Sequence, residues 1–388
     1  MANPSIFLTT HLLFLTSSLI SSLVFYLCSR PRRAEVLATL AGGLLLTWRF
    51  GLFGPAYAQA MVFLSYWSVF AIAVSFFAPL LFQKQIKQRV PVLEAMLAPP
   101  ALELLAAVLL GYLNRLVPNT LDYYLFAFDG SLGFQPGFAV AQFLARHAVL
   151  RIPAECAYLN LTLAFSVAYL LQRKNSVTQA QLFLRFIIWL GVAGFAFYAI
   201  FPAAGTEVLF RGRFPQSPPA IAEIAIRQTP DLIEPRNCLP SLHTAWVLAL
   251  WYTCPKRRVL RVCMGAYAAF TLLYTLSCGH YLADMIVAVP FTAAIYAITY
   301  FSGKTARDVA VASAGMFLGW LVLLRFGTPL FLAAPIIPWS LSVATIGTCH
   351  FLRRRLESDP AILGNLKHIL AGRPFLSANN ELGSSTAS

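Results

Sequence analysis

The stretch His280-Tyr281-Leu282-Ala283-Asp284-Met285-Ile286-Val287-Ala288-Val289-Pro290-Phe291-Thr292-Ala293-Ala294-Ile295-Tyr296-Ala297-Ile298-Thr299-Tyr300-Phe301 holds no charged residue after Asp284. A helix that crosses a bilayer needs about 20 mainly apolar residues, and this run supplies them. Its ionisable groups stand together at one end. His280 and Asp284 are four positions apart, a spacing that puts both on one face of a helix. A membrane helix that opens on a histidine and an aspartate is the pattern from which the rest of the chain can be read.

The same length rule, applied outward, gives about eleven candidate spans. They are 6–28, 36–53, 57–82, 93–113, 154–171, 181–201, 239–253, 259–277, 280–301, 309–326 and 329–351. The fourth is interrupted by Glu94, Pro99, Pro100 and Glu103, which predicts an interfacial start or a kink. Composition agrees with the count. The chain is 59% hydrophobic and 11% charged, whereas a soluble domain carries roughly 25% charged residues. A water-soluble single domain is excluded. The expected fold is an all-α polytopic transmembrane bundle.

The net charge of +14 does not point to nucleic acid. The basic residues form short clusters between apolar runs, such as Arg30-Pro31-Arg32-Arg33 and Lys256-Arg257-Arg258, as in cytoplasmic loops. Counted over alternate loops, one side of the membrane holds far more Lys and Arg. That side takes the tail from Arg353, so the N-terminus is expected outside and the C-terminus in the cytoplasm. The run 6–28 is followed, not preceded, by basic residues and reads as a retained anchor. The seven cysteines contain no C-x-x-C pair, which argues against a structural zinc site.

Two outer segments are longer than turns. Residues 114–153 include Tyr123-Tyr124-Leu125-Phe126-Ala127-Phe128 between Asp122 and Asp129, expected as a helix in the headgroup layer. Residues 202–237 are rich in Pro, Arg and Glu, and long loops in compact proteins tend to be functional.

Chemistry gathers on the outer side. Pro240-Ser241-Leu242-His243 opens the seventh span as His280 and Asp284 open the ninth. Asp284 can accept a hydrogen bond from one ring nitrogen of His280, which fixes the tautomer and frees the other nitrogen as nucleophile or base. Ser241 is placed to cap its helix, and the first turn beyond it is an anion site. Arg236, Arg211 and Arg213 lie on the preceding outer loop, where phosphate contact would account for them. His11, His147, His350 and His368 have no partner pattern and are read as structural. Arg49, Arg185 and Arg325 near span ends are read as snorkelling.

These residues resemble the type 2 phosphatidic acid phosphatase superfamily. Its middle motif reads Pro-Ser-x-His, matched by Pro240 to His243, and its last motif ends His-x-x-x-Asp, matched by His280 to Asp284. The texts Phe201-Pro202-Ala203-Ala204-Gly205 and Arg236-Asn237-Cys238-Leu239-Pro240 look like the branch that includes the inositol phosphorylceramide synthases. The phosphatases of the family carry an Arg six residues before the last His, where this chain has Tyr274, and the first motif has only Arg213-Phe214-Pro215 to offer. The resemblance implies a six-helix catalytic core at 93–301; by span length, N-terminal helices 1–92 and a C-terminal pair 302–352 flank it, and 353–388 reads as a mostly disordered cytoplasmic tail.

The resemblance also implies a double displacement. His280 attacks a lipid phosphate and forms a phosphohistidine, Asp284 stabilises the charged ring, and His243 serves as acid and then base. Arg236, Ser241, Arg211 and Arg213 would hold the phosphate. No metal and no cofactor are implied. The acceptor would be an alcohol such as inositol, or water in a lipid phosphatase. The expected location is the plasma membrane, and the loop charge bias puts the site on the non-cytoplasmic face. Three other readings stay open: a zinc hydrolase using His243, His280 and Asp284, a serine hydrolase using Ser241, and a lipid transporter. Cys238 and Cys278 each precede a motif and could pair as a disulfide.

Overall fold

A computed structural model describes residues 4–29, 31–51, 56–81, 86–230 and 235–359. Helices make up most of the described residues, which hold no strand beyond one isolated antiparallel bridge between Thr120 and Gln228. Among the described residues, five helices are long and apolar enough to cross a membrane. They are α4 (Ile86–Leu116), α9 (Val177–Ile200), α12 (Arg258–Ser277), α13 (Leu282–Tyr300) and α14 (Lys304–Phe326). The protein is an integral membrane protein. A sixth span results if α7 (Ala148–Leu159) and α8 (Leu161–Asn175), bent by 64° at their junction, count as one.

The expected count of about eleven is not reached among the described residues. Region 239–253 yields α11 (Leu242–Thr253), whose 12 residues span about 18 Å against a hydrocarbon core of about 30 Å. Region 329–351 is split into α15 (Thr328–Ala333) and α16 (Ile336–Ser358). Within α1 (Pro4–Cys28) and α3 (Ala56–Leu81) the stretches Phe14–Cys28 and Leu64–Phe77 are apolar. By contrast, α4 runs through Pro99 and Pro100 as one 31-residue helix.

Three features position the site. First, α1 docks through a buried face of Thr16, Ser17, Ser18, Ser21 and Ser22. The Ser17 hydroxyl meets that of Thr162 on α8 at 2.9 Å, and Ser22 Oγ donates to the Met96 carbonyl of α4 at 2.6 Å. Small hydroxyl residues let helices approach closely and bond across the interface. Second, α5 (Asp122–Ser131) is not a headgroup helix. Leu125, Phe126, Ala127 and Phe128 are fully buried. Phe128 packs edge-on against Trp320 of α14 and Phe331 of α15, with centroids 5.4 and 5.1 Å away. Hydrophobic aromatics that a sequence assigns to lipid are here the mortar between core and C-terminal helices. Third, α16 continues past the expected start of the tail. Arg353 is buried and lies 4.9 Å over the Tyr252 ring. The tail from 360 and His368 lie outside the described residues, as does the side chain of His11.

Candidate active site

The segment before α13 sets the first catalytic candidate. Gly279 turns the chain with φ of +119°, a conformation that favours glycine. His280 then stands outside the helix, one residue before its N-cap, Tyr281. Asp284, in the first turn, accepts the Tyr281 N–H at 3.0 Å and faces Nδ1 of His280 at 3.1 and 3.2 Å. A carboxylate only accepts, so Nδ1 is the donor and Nε2 keeps its lone pair. The expected His280–Asp284 contact forms, but a bend ahead of the helix makes it, not a shared helical face. His280 is 6% exposed and Asp284 0%.

Helix α11 brings the second histidine. Ser241 is its N-cap, and its Oγ accepts from the Thr244 N–H at 3.3 Å and from the Thr244 hydroxyl at 3.0 Å. The Ser241 N–H donates to the main-chain carbonyl of Asp284 at 3.4 Å. That bond ties the two motif segments together. The His243 ring centre lies 6.1 Å from that of His280, with the rings 70° apart. Tyr158 of α7 stacks on His243 at 4.0 Å and 17°, and Phe14 of α1 closes in at 5.7 Å. Tyr274, which stands where the phosphatases carry Arg, packs on Tyr158 at 5.1 Å.

Two buried aspartates, singled out in sequence only as flanks of an aromatic run, hold this arrangement. Asp129 accepts the N–H groups of Leu282 and Ala283 at 2.8 and 3.0 Å. Asp122 accepts those of Ala204 and Gly205 at 3.0 and 2.8 Å and the Tyr281 hydroxyl at 2.9 Å. Burial pushes the Asp129 carboxyl up to about 8, against the downward pull of its two N–H donors. Their spacing was the available signal: seven positions apart on a helix is one face, two turns along.

The arginines are placed differently from the expected clamp. Arg236 is fully buried, and one end of its guanidinium donates to the carbonyls of Pro118 and Pro230 at 3.1 and 3.0 Å. It laces two loops together. Arg213 pairs with Glu223 at 2.7 Å on an exposed loop, and Arg211 is exposed beside it. Arg325, expected to snorkel, lies 4.6 Å over the Tyr124 ring. The structure thus joins His243, His280, Asp284 and Ser241. Cys238 and Cys278 are free thiols. Burial, then the charges of Asp284 and Asp122, pushes the Cys238 thiol up, and burial takes Cys278 to about 12.

Residues 123–298 match the family model of the PAP2 superfamily. The matched segment contains both histidines, Asp284, Asp129 and the whole of α11. No curated protein and no solved structure matches the chain.

Proposed function

We propose that this membrane protein is a phosphotransferase acting on lipid phosphate esters through a phosphohistidine. The observation that carries the reading is the ordered pair of His280 and Asp284, with Nδ1 and carboxylate 3.1 Å apart and the His243 ring 6.1 Å away. The PAP2 match over the same residues supports it. Nε2 of His280 attacks phosphorus and the ester bond to the leaving oxygen breaks. His243 gives that oxygen its proton. An acceptor hydroxyl then loses its proton to His243 and attacks phosphorus, and the phosphorus–nitrogen bond breaks. Asp284 steadies the positive imidazole throughout.

The phosphate site is narrowed by what the helix ends already hold. The N-terminus of α13 is filled by the carboxyl groups of Asp129 and Asp284. The helix end left to face an anion is that of α11, behind Ser241. Arg236 shapes that site through its loops, while Arg211 and Arg213 serve the outer approach of an anionic headgroup. Tyr274 in place of Arg and the Arg236–Pro240 text favour headgroup transfer to an alcohol such as inositol over release of phosphate to water. We place the site on the non-cytoplasmic face of the plasma membrane and the C-terminus in the cytoplasm, from the loop charge bias.

The test is a panel of phospholipids offered to purified protein with and without inositol, scored for free phosphate and for new headgroup lipids. Wild type is expected to form a new lipid, and His280→Ala to lose about 10⁴-fold or more, as removal of a covalent nucleophile does. Full turnover by a folded His280→Ala protein would end the reading. Phosphate release that ignores inositol would assign the phosphatase instead.

A further inference from the structure

Cys238 stands ahead of the Pro-Ser-x-His stretch and has no task in the reaction just described. Its N–H donates to the Ala203 carbonyl at 3.1 Å, which holds it against the loop before α10 (Thr206–Leu209). The loop makes room for it: a Cβ on Gly205 would lie 2.9 Å from its sulfur. One donor atom each from Cys238, His280 and Asp284 lie within 4.8 Å of one another, and all three residues are buried. The set that converges contains a thiol and leaves out His243.

A thiol, an imidazole and a carboxylate suit zinc and other thiophilic divalent ions. Magnesium and calcium prefer all-oxygen sites. Zinc bonds of about 2.0 to 2.3 Å place tetrahedral ligand atoms roughly 3.3 to 3.7 Å apart. His280 Nδ1 and the Asp284 oxygens, at 3.1 and 3.2 Å, are close to that already. The Cys238 sulfur, within 4.8 Å of both, meets the same spacing by a small inward movement.

We infer that Cys238, His280 and Asp284 form a site for a thiophilic divalent cation, zinc first among them, that turns the catalytic histidine off. The inference rests on His280 being the nucleophile of the proposed function. On binding, bonds form from the metal to sulfur, Nδ1 and a carboxylate oxygen, and the protons of the thiol and of Nδ1 leave to water. No oxidant or reductant takes part. A cation on Nδ1 draws electron density from the ring and takes Asp284 away from it, so Nε2 no longer attacks phosphorus.

The experiment uses the full chain, freed of metal by a chelator, and two readouts. In the first, zinc is titrated against lipid turnover. Wild type is expected to lose turnover and to regain it with chelator. Cys238→Ser and Cys238→Ala keep basal turnover and need on the order of tenfold more zinc, or beyond, for half-inhibition. Cys278→Ser, whose native sulfur points to the Thr275 carbonyl at 3.5 Å, behaves as wild type. In the second, cobalt is added and the thiolate-to-cobalt absorption band is recorded. The band is expected in wild type and Cys278→Ser and absent in both Cys238 variants. Absence of the band in wild type, equal inhibition of the Cys238 variants, or activation by zinc overturns the inference. A cobalt band that needs Cys238, in a protein that turns over no lipid, keeps the metal site and removes the proposed function instead.

Discussion

The carboxyl group of Asp129 sits at the head of α13, where the first N–H groups of any helix lack partners within it. Asp129 takes Leu282 and Ala283, and Asp284 takes Tyr281. An aspartate in this position does for His280 what a packing residue cannot: it fixes the main chain two residues downstream of the ring. A buried N–H left without an acceptor costs about 1–3 kcal/mol. Asp129→Ala strands two, so unfolding in detergent should come at least about 2 kcal/mol sooner. The same residue makes stability depend on pH. Folded, it holds its proton up to about pH 8, while unfolded it releases it near the ordinary value of about 3.9. Between those values the folded state binds more protons than the unfolded state, so its contribution to stability falls as pH rises from about 4 to 8. Asp129→Asn cannot titrate and should flatten that slope. Thermal midpoints of wild type and variant at pH 5 and 8.5 measure the difference, and parallel slopes would show that Asp129 carries no such proton.

Loops and helix starts decide where the two histidines meet. Residues 203–206 press on the turn before His280: the Thr206 N–H donates to the Gly279 carbonyl at 2.6 Å, and the Gly205 N–H donates to Asp122 at 2.8 Å. Gly205 has φ of +92°, and a Cβ on it would collide with the Gly279 carbonyl oxygen. Main chain cannot yield there without moving His280. Gly205→Ala is therefore expected to cut turnover by about 100-fold, the scale of a 1 Å misplacement. Gly315→Ala in α14, where an added Cβ meets nothing within 4 Å, serves as control and should stay near wild type. Retained turnover in Gly205→Ala would mean that the loop does not position the nucleophile. How these elements could be read beforehand follows from what each depends on. Ser241 as a cap and the polar head of α13 were legible because capping is local chemistry. The burial of α5 was not, since an apolar helix looks the same in sequence whether lipid or protein covers it. Nor was the bond from Asp122 to Gly205, because a carboxylate aimed at main-chain N–H groups leaves no partner residue to find. The twelve residues of α11 were read as a span because hydropathy reports solvent, not the length of helix the fold keeps.

At the level of the molecule, the PAP2 match ends short of both flanks, at residues 123 and 298, and the question is whether the flanks matter to the site. The first helix argues that they do. Its serine face is bonded to α8 and α4, so it has a fixed register against the core. That register delivers Phe14 to within 5.7 Å of His243 and 5.6 Å of Tyr158. An imidazole with the proposed task of giving and taking a proton needs a held orientation. Here Tyr158 supplies one side of the hold and Phe14 another, and Phe14 lies far from both partners along the chain. Removing the whole helix would strip Thr162 and the Met96 carbonyl of their serine partners, so the sharper change is one ring. Phe14→Ala leaves the serine bonds in place. It is expected to keep the thermal midpoint within the range of a half-buried aromatic truncation, at most about 3 kcal/mol, while lowering kcat by on the order of tenfold with little change in KM, because the lost contact serves the proton-transferring ring. Phe14→Leu, which keeps apolar bulk without the ring, should recover part of the rate. Steady-state kinetics of the three proteins against one lipid decide the matter: equal kcat for wild type and Phe14→Ala would make α1 a packing helix, and the catalytic unit would then be the matched core by itself.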